Sequence, residues 1–231
     1  MKKNIWKIII LILPLILIIY LLLLRSFSFP VYQRVGAEDN LLEWGQFFLY
    51  LFSGILTILL AIKYKENRFL LVIYIILTLG LIFIAFEEIS WGERIPFLPN
   101  ILSLPTELME RNVQGEQNIH NIDTIHSIIG YIYIVLGFIG CFAWIGKRLI
   151  KKSTNIREAF KKTLNHIIPE WNYFFYFFPL FINLLSRNKY GFMPQDYEVA
   201  ETCLALGVFL FFLQSYIKKK KEKWMILDSN Q

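Results

Sequence analysis

The sequence predicts an all-α integral membrane protein, a bundle of six transmembrane helices with both termini cytoplasmic. Three observations carry that prediction. Apolar residues make up 56% of the 231 residues, above the usual share of a soluble domain. They fall into six blocks, at about 5–24, 41–62, 69–86, 124–145, 169–186 and 198–217, each near the roughly 20 residues that a helix needs to cross a bilayer. The charges between the blocks alternate in sign from one side to the other. No stretch between the spans is long enough for a separate soluble domain, so 1–231 reads as a single membrane domain.

The first block begins among Lys2, Lys3 and Lys7 and has no charge beyond them. It lacks a small-x-small cleavage site, so it reads as an uncleaved anchor at the bundle periphery. The second and third blocks are joined by Lys65-Glu66-Asn67, a short inner turn. The fourth follows the longest outer loop, 87–123, and leads into a basic inner segment from Gly146 to His166. Pro169 suits the first turn of a fifth helix, where its missing N–H does no harm. Within the outer loop, Pro105 through Glu110 reads as a short helix.

With the N-terminus inside, 18 of the 24 basic residues fall on the cytoplasmic side. Only Arg25, Arg34, Arg94, Arg111, Arg187 and Lys189 remain outside, as the positive-inside rule requires. Thirteen of the 18 acids lie outside or at the outer ends of spans. The net charge of +6 is therefore two faces of opposite sign. It points to membrane lipid as a partner, with anionic inner-leaflet lipid on the basic face, and not to nucleic acid. The sequence names no protein partner. The expected location is the cytoplasmic membrane of a prokaryote. Cys141 and Cys203 fall at opposite depths, too far apart for a disulfide.

Helical spacing marks the faces that turn away from lipid. Asp39, Glu43, Gln46, Tyr50, Ser53 and Thr57 share one face of the second span. Tyr74, Thr78, Ala85 and Glu88 do so in the third. His126, Gly130, Tyr133, Gly137 and Gly140 do so in the fourth, and Asn172, Tyr176, Pro179, Asn183 and Ser186 in the fifth. Small and weakly polar residues at this spacing are ordinary helix-packing contacts, and the glycines predict a close helix–helix approach. The carboxylates are different. Glu43 and Glu88 end their stripes at the outer boundary, and Glu201 begins the sixth span at similar depth. Ionisable groups there usually serve a function.

The outer loop holds the most specific pattern. It begins Glu87-Glu88-Ile89-Ser90-Trp91-Gly92-Glu93-Arg94 and ends Asn112-Val113-Gln114-Gly115-Glu116-Gln117-Asn118-Ile119-His120-Asn121. Helical continuation of the third span would place Glu87, Ser90, Trp91 and Arg94 on one face. A helix over 116–127 would align Glu116, His120, Asp123 and Ser127. A loop this long is expected to fold over the bundle.

Three roles are open for this group. Glu43, Glu88, Glu116, His120 and His126 form a candidate catalytic set for acid–base chemistry. Arg94 and Arg187 are candidates for holding an anionic headgroup. Trp91 is a candidate substrate contact, although an interfacial anchor is the plainer reading of it. A divalent metal on His120, His126 and Glu88 is admitted by the residue types, but metal-free chemistry is favoured because no His-x3-His or His-Glu-x2-His pair occurs. The third role is structural: ion pairs of Glu87 or Glu88 with Arg94 or Arg187, and asparagines that fix the loop.

On the two loop motifs, read as E-E-I-S-W-G-x-R and N-x-Q-x-E-x-N-x-H-N, and on the acidic start Glu38-Asp39-Asn40-Leu41-Leu42-Glu43-Trp44, the chain resembles an uncharacterised family of multi-pass bacterial membrane proteins. The resemblance implies a multi-pass fold and brings no activity. Intramembrane ceramidase-like hydrolases offer only a distant analogy, since their His-x3-His pair is absent. The expected function is that of a hydrolase or transferase on a lipid or lipid-linked substrate. The competing expectations are a non-catalytic subunit of an envelope complex and, less favoured, a transporter, because no span carries an acid near mid-membrane.

Overall fold

The computed structural model describes residues 2–37, 41–93, 95, 103–112, 115, 117–185 and 194–228. Its secondary structure is helical throughout, apart from one isolated antiparallel bridge between Asn112 and Ile122. Five helices are long and apolar enough to cross a membrane: Ile5–Phe27, Leu41–Lys63, Arg68–Glu88, Asp123–Lys152 and Gln195–Lys219. They coincide with the first, second, third, fourth and sixth expected spans.

Helix α1 (Lys2–Phe27) is followed at once by the short α2 (Phe29–Val35), whose Pro30 fits a helix start. Helix α3 (Leu41–Lys63) and α4 (Arg68–Glu88) form an antiparallel pair. Asn67 caps α4 by accepting the Leu70 N–H at 3.2 Å. The polar stripe of α3 turns inward as its spacing requires: Gln46, Tyr50, Ser53 and Thr57 are all buried. Across the pair, the Thr57 and Thr78 hydroxyls lie 2.8 Å apart. Such interhelical bonds contribute about 0.6 kcal/mol on average within a bilayer.

Helix α5 (Thr106–Met109) is the short helix expected after Pro105. Helix α6 (Asp123–Lys152) packs on α8 (Phe174–Leu185) through its glycines. A Cβ on Gly137 would stand 2.9 Å from the Phe181 backbone nitrogen, and one on Gly140 would stand 2.1 Å from the Phe177 ring. The amphipathic α7 (Glu158–Ile167) lies between them in sequence.

The fifth expected span is the exception. Pro169 sits in extended chain, and one tight turn at Trp171–Tyr173 precedes α8, which begins at Phe174. The 12 residues of α8 cover about 18 Å, less than the roughly 30 Å apolar core of a bilayer. Residues 186–193 fall outside the described part of the chain.

The last helix, α9 (Pro194–Asp228), is central. Its residues enter all three core clusters: Ala205 and Phe212 with Tyr50, Leu60, Tyr74 and Leu81; Leu210 with Ile10, Tyr173 and Tyr176; Ala200 and Leu204 with Leu180. Small residues permit this crowding. A Cβ on Gly207 would meet the Tyr176 Cβ at 2.6 Å. By contrast, α1 and α6 expose long rows of Ile, Leu, Val and Phe, the surface a bilayer would cover.

The bundle has two chemically distinct ends. At one, Gln46 near the start of α3 meets Glu198 and Thr202 of α9, and Arg25 meets Asp196. At the other, the Lys63 ammonium lies 3.4 Å from the centre of the Tyr216 ring and the Lys219 ammonium 4.8 Å from that of Tyr64. The Lys147 ammonium there donates to the Ile168 carbonyl at 2.7 Å and to Glu170 at 3.1 Å. Ile10 packs with Leu210 near the basic end, while Arg25 reaches Asp196 at the acidic end. The N-terminal part of α1 and the C-terminal part of α9 therefore share the basic end. Cys141 and Cys203 are both free and buried.

Candidate functional site

The acidic end gathers side chains from three helices. Glu43 lies in the first turn of α3, Glu88 closes α4, and Glu198 and Glu201 lie on α9. Gln46, 0% exposed, joins α3 to α9: its Nε2 donates to the Glu198 carbonyl at 3.2 Å, to Glu198 Oε2 at 3.0 Å and to Thr202 Oγ1 at 3.1 Å. Glu88 has Glu201, Glu198, Glu43 and Glu87 as its charged neighbours. Tyr50 of α3 and Tyr133 of α6 border the same group. Glu43, Glu88, Glu198 and Glu201 are half-buried.

One residue away in sequence, Glu87 does something different. It is 4% exposed and is fully engaged. Its Oε2 accepts the Ile119 N–H at 2.9 Å and the His120 N–H at 2.8 Å, and lies 3.1 Å from His120 Nδ1. Its Oε1 accepts the Trp91 indole N–H. A carboxylate at Nδ1 favours the tautomer with the proton on that nitrogen and leaves Nε2 with a lone pair. The His120 side chain is 34% exposed, so the ring is accessible while its other edge is fixed.

The chain reaches this geometry through a strained turn. Helix α4 ends at Glu88, and Ser90 (φ 46°), Trp91 (φ 54°) and Gly92 (φ 89°) take left-handed conformations in succession. For Ser and Trp this costs roughly 1–2 kcal/mol each. The turn brings Trp91 back over its own helix, where it stacks on Phe86 and meets the edge of Phe83. Helical continuation past Glu88, expected from the sequence, therefore does not occur. Nor is 117–122 helical: α6 starts at Asp123, and the alignment of His120 with Asp123 on one helical face is lost.

The two loop motifs instead meet side by side. Glu93 Oε2 accepts the Gln117 N–H at 2.9 Å, and Gln117 Oε1 accepts the Leu104 N–H at 2.7 Å. Asn118 Nδ2 donates to Ser90 Oγ at 3.4 Å, and Asn112 Nδ2 donates to the Asn118 carbonyl at 2.9 Å. Asn112 Oδ1 accepts the Gly115 N–H at 2.9 Å. The asparagines thus satisfy loop backbone that has no ladder to bond with.

The residues singled out from sequence divide as follows. Glu43 and Glu88 belong to the carboxylate group. His120 pairs with Glu87. His126 lies in the first turn of α6. Trp91 braces Glu87. Glu116, Arg94 and Arg187 lie outside the described residues. Among the described residues no three of His, Cys, Asp and Glu are grouped closely enough to hold a metal ion, and the proposed ligands His120, His126 and Glu88 do not form such a group.

Spacing alone did not single out three other participants. Gln46 was read only as part of a polar stripe. Nothing in the local spacing sets Glu198 apart. Asp196, 7% exposed, accepts Arg25 at 2.9 and 2.8 Å and the Tyr32 hydroxyl at 2.5 Å, which ties α1, α2 and α9 together. Burial, and then the bond to Asp196, push the Tyr32 hydroxyl well above its ordinary range, so it stays a donor.

Comparison with protein-family models, with curated proteins and with solved structures gives no match to this chain.

Proposed function

We propose that this chain is a membrane enzyme, a hydrolase or transferase, that performs metal-free acid–base chemistry on a lipid or lipid-linked substrate at the outer leaflet. The observation that carries the reading is the Glu87–His120 pair, next in sequence to Glu88, whose charged neighbours are Glu201, Glu198, Glu43 and Glu87. His120 Nε2 is the base. Glu88 is the proton donor to a leaving group, because it combines partial exposure with carboxylate neighbours that can resupply a proton. Arg94 and Arg187 hold an anionic headgroup. Membership of the bacterial multi-pass family is part of the same proposal.

The topology belongs to this reading too. The acidic end faces outward and the basic end faces the cytoplasm of a prokaryotic cell. Helix α8, too short to cross alone, forms part of a sixth crossing, since the chain must pass from Glu170, beside Lys147, to the start of α9 near Arg25. Both termini are then cytoplasmic.

A second reading draws on the same carboxylate. Two of the donors to Glu87 are backbone N–H groups, which is how a loop is fixed, and a non-catalytic envelope subunit needs no more. A transporter remains the weaker alternative. The deciding experiment compares the lipid and lipid-linked pools of cells producing wild type, Glu88→Gln or His120→Ala, with thermal stability of each purified protein. The enzyme reading expects wild type to shift one pool and both variants to lose that effect with stability nearly unchanged. Equal pools in all three, or loss of stability in both variants, sinks it.

A further inference from the structure

The basic end of the molecule contains a cavity that the outer site does not use. It is an open groove of about 710 Å³, within the range of small-molecule sites. Its walls come from the α3–α4 turn and from α7. Tyr64, Asn67 and Phe69 line one side; Arg157, Phe160 and His166 line the other. The His166 ring meets Tyr64 edge-on at 4.8 Å, which pins α7 to the turn.

From these walls we infer that the cavity binds one anionic phospholipid of the cytoplasmic leaflet, its phosphate toward Arg157 and His166 and its chains along Phe69 and Phe160. Three features select this occupant. First, the lining is mostly apolar, with Asn67, Arg157, Thr163 and His166 as its polar groups, which suits acyl chains beside a single headgroup, and Phe69 and Phe160 are exposed. Second, the local charge is positive. Residues 146–168 hold seven basic residues and one acid. The acids near the mouth, Glu66 and Glu158, each lie beside a lysine, at 4.0 and 2.6 Å. Third, α7 alternates apolar Phe160, Leu164 and Ile167 with Lys161 and Asn165, the pattern of a helix lying in a membrane interface. The inference rests on the inward orientation proposed above, but not on the outer chemistry.

The test uses the full chain purified in mild detergent with equal amounts of a phosphatidylcholine and a phosphatidylglycerol, weighed intact by native mass spectrometry. Detergent presents both faces to both lipids, so the result does not depend on orientation or on any enzymatic activity. Wild type is expected to retain phosphatidylglycerol in preference. Arg157→Gln lowers that preference by about fivefold, the effect of one basic residue against an anionic surface. Phe160→Ala, at an exposed position that does not threaten folding, also lowers retention. Lys152→Gln, a basic residue outside the cavity, leaves it unchanged. Inorganic phosphate and glycerol 3-phosphate, which carry the charge without the chains, do not displace the lipid. Equal retention of the two lipids by wild type, equal losses in the Arg157 and Lys152 variants, or displacement by either soluble phosphate overturns the proposal.

Discussion

Glu87 shows how much one position can hold. Its two oxygens accept four donors from three residues, and its charge is the compensation for burying them. Glu87→Gln keeps the shape but substitutes an amide whose nitrogen faces donors instead of accepting from them. The expected loss is about 1–3 kcal/mol of stability, read as a lowered midpoint in thermal unfolding. Limited proteolysis between Ser103 and Asp123 should speed up at the same time. A midpoint equal to wild type would show that the loop is fixed by its asparagines alone. The sequence marks this motif but favours Glu88, because Glu88 ends the inward stripe of the third span and Glu87 lies off it. The left-handed turn at Ser90–Trp91 could not be anticipated from spacing, since neither Ser nor Trp favours it.

A second residue carries a pH signature. Burial alone would raise the Glu170 carboxyl, but the hydrogen bond and charge of Lys147 outweigh it and hold the group below its ordinary value. A depressed carboxyl contributes stability that is present above its unfolded value and disappears as pH falls through the folded one. Stability measured against pH should therefore drop on the acid side, below the usual carboxylate range. Glu170→Gln should flatten that limb and leave the neutral region lower. An acid limb identical in the variant would remove Glu170 from the account.

At the scale of elements, the α6–α8 contact depends on missing side chains. Gly140 faces the Phe177 ring so closely that a methyl group would overlap it at 2.1 Å, and Gly137 meets the backbone of Phe181. Gly140→Ala forces the ring or the helix to move and should cost about 1–3 kcal/mol. Gly45→Ala, where the added methyl meets nothing within 4 Å, should be nearly neutral. Thermal midpoints of the two variants check this, and equal midpoints would contradict close packing at Gly140. The glycine stripe was legible from spacing alone. The start of α8 was not, because Pro169 is compatible with a first helical turn yet the chain stays extended until Trp171. There the Ile168 and Pro169 carbonyls accept from the buried Lys147 ammonium, a tertiary contact that replaces helical bonding.

For the whole molecule, the separation of charge between the two ends is the main constraint on orientation. Single cysteines in a variant lacking Cys141 and Cys203 should be labelled from outside at Glu107 and from inside at Lys151 and Lys219. Outward labelling of either lysine would invert the topology. Both native cysteines are buried, and their replacement by alanine should be tested for folding first.

By itself the sequence determined the helical class, five of its six expected long apolar helices, the inward faces of α3 and α4, and the segregation of acids from bases. These depend on local period and on the cost of exposing polar groups to lipid, both of which are written into neighbouring residues. Only the tertiary structure decided that Glu87 and not Glu88 takes His120, that Gln46 bridges to Glu198, and that Asp196 gathers Arg25 and Tyr32. Those partners lie 33, 152, 171 and 164 positions apart. No local pattern encodes a pairing across such distances. It is fixed by which helices pack together and by where each one stops.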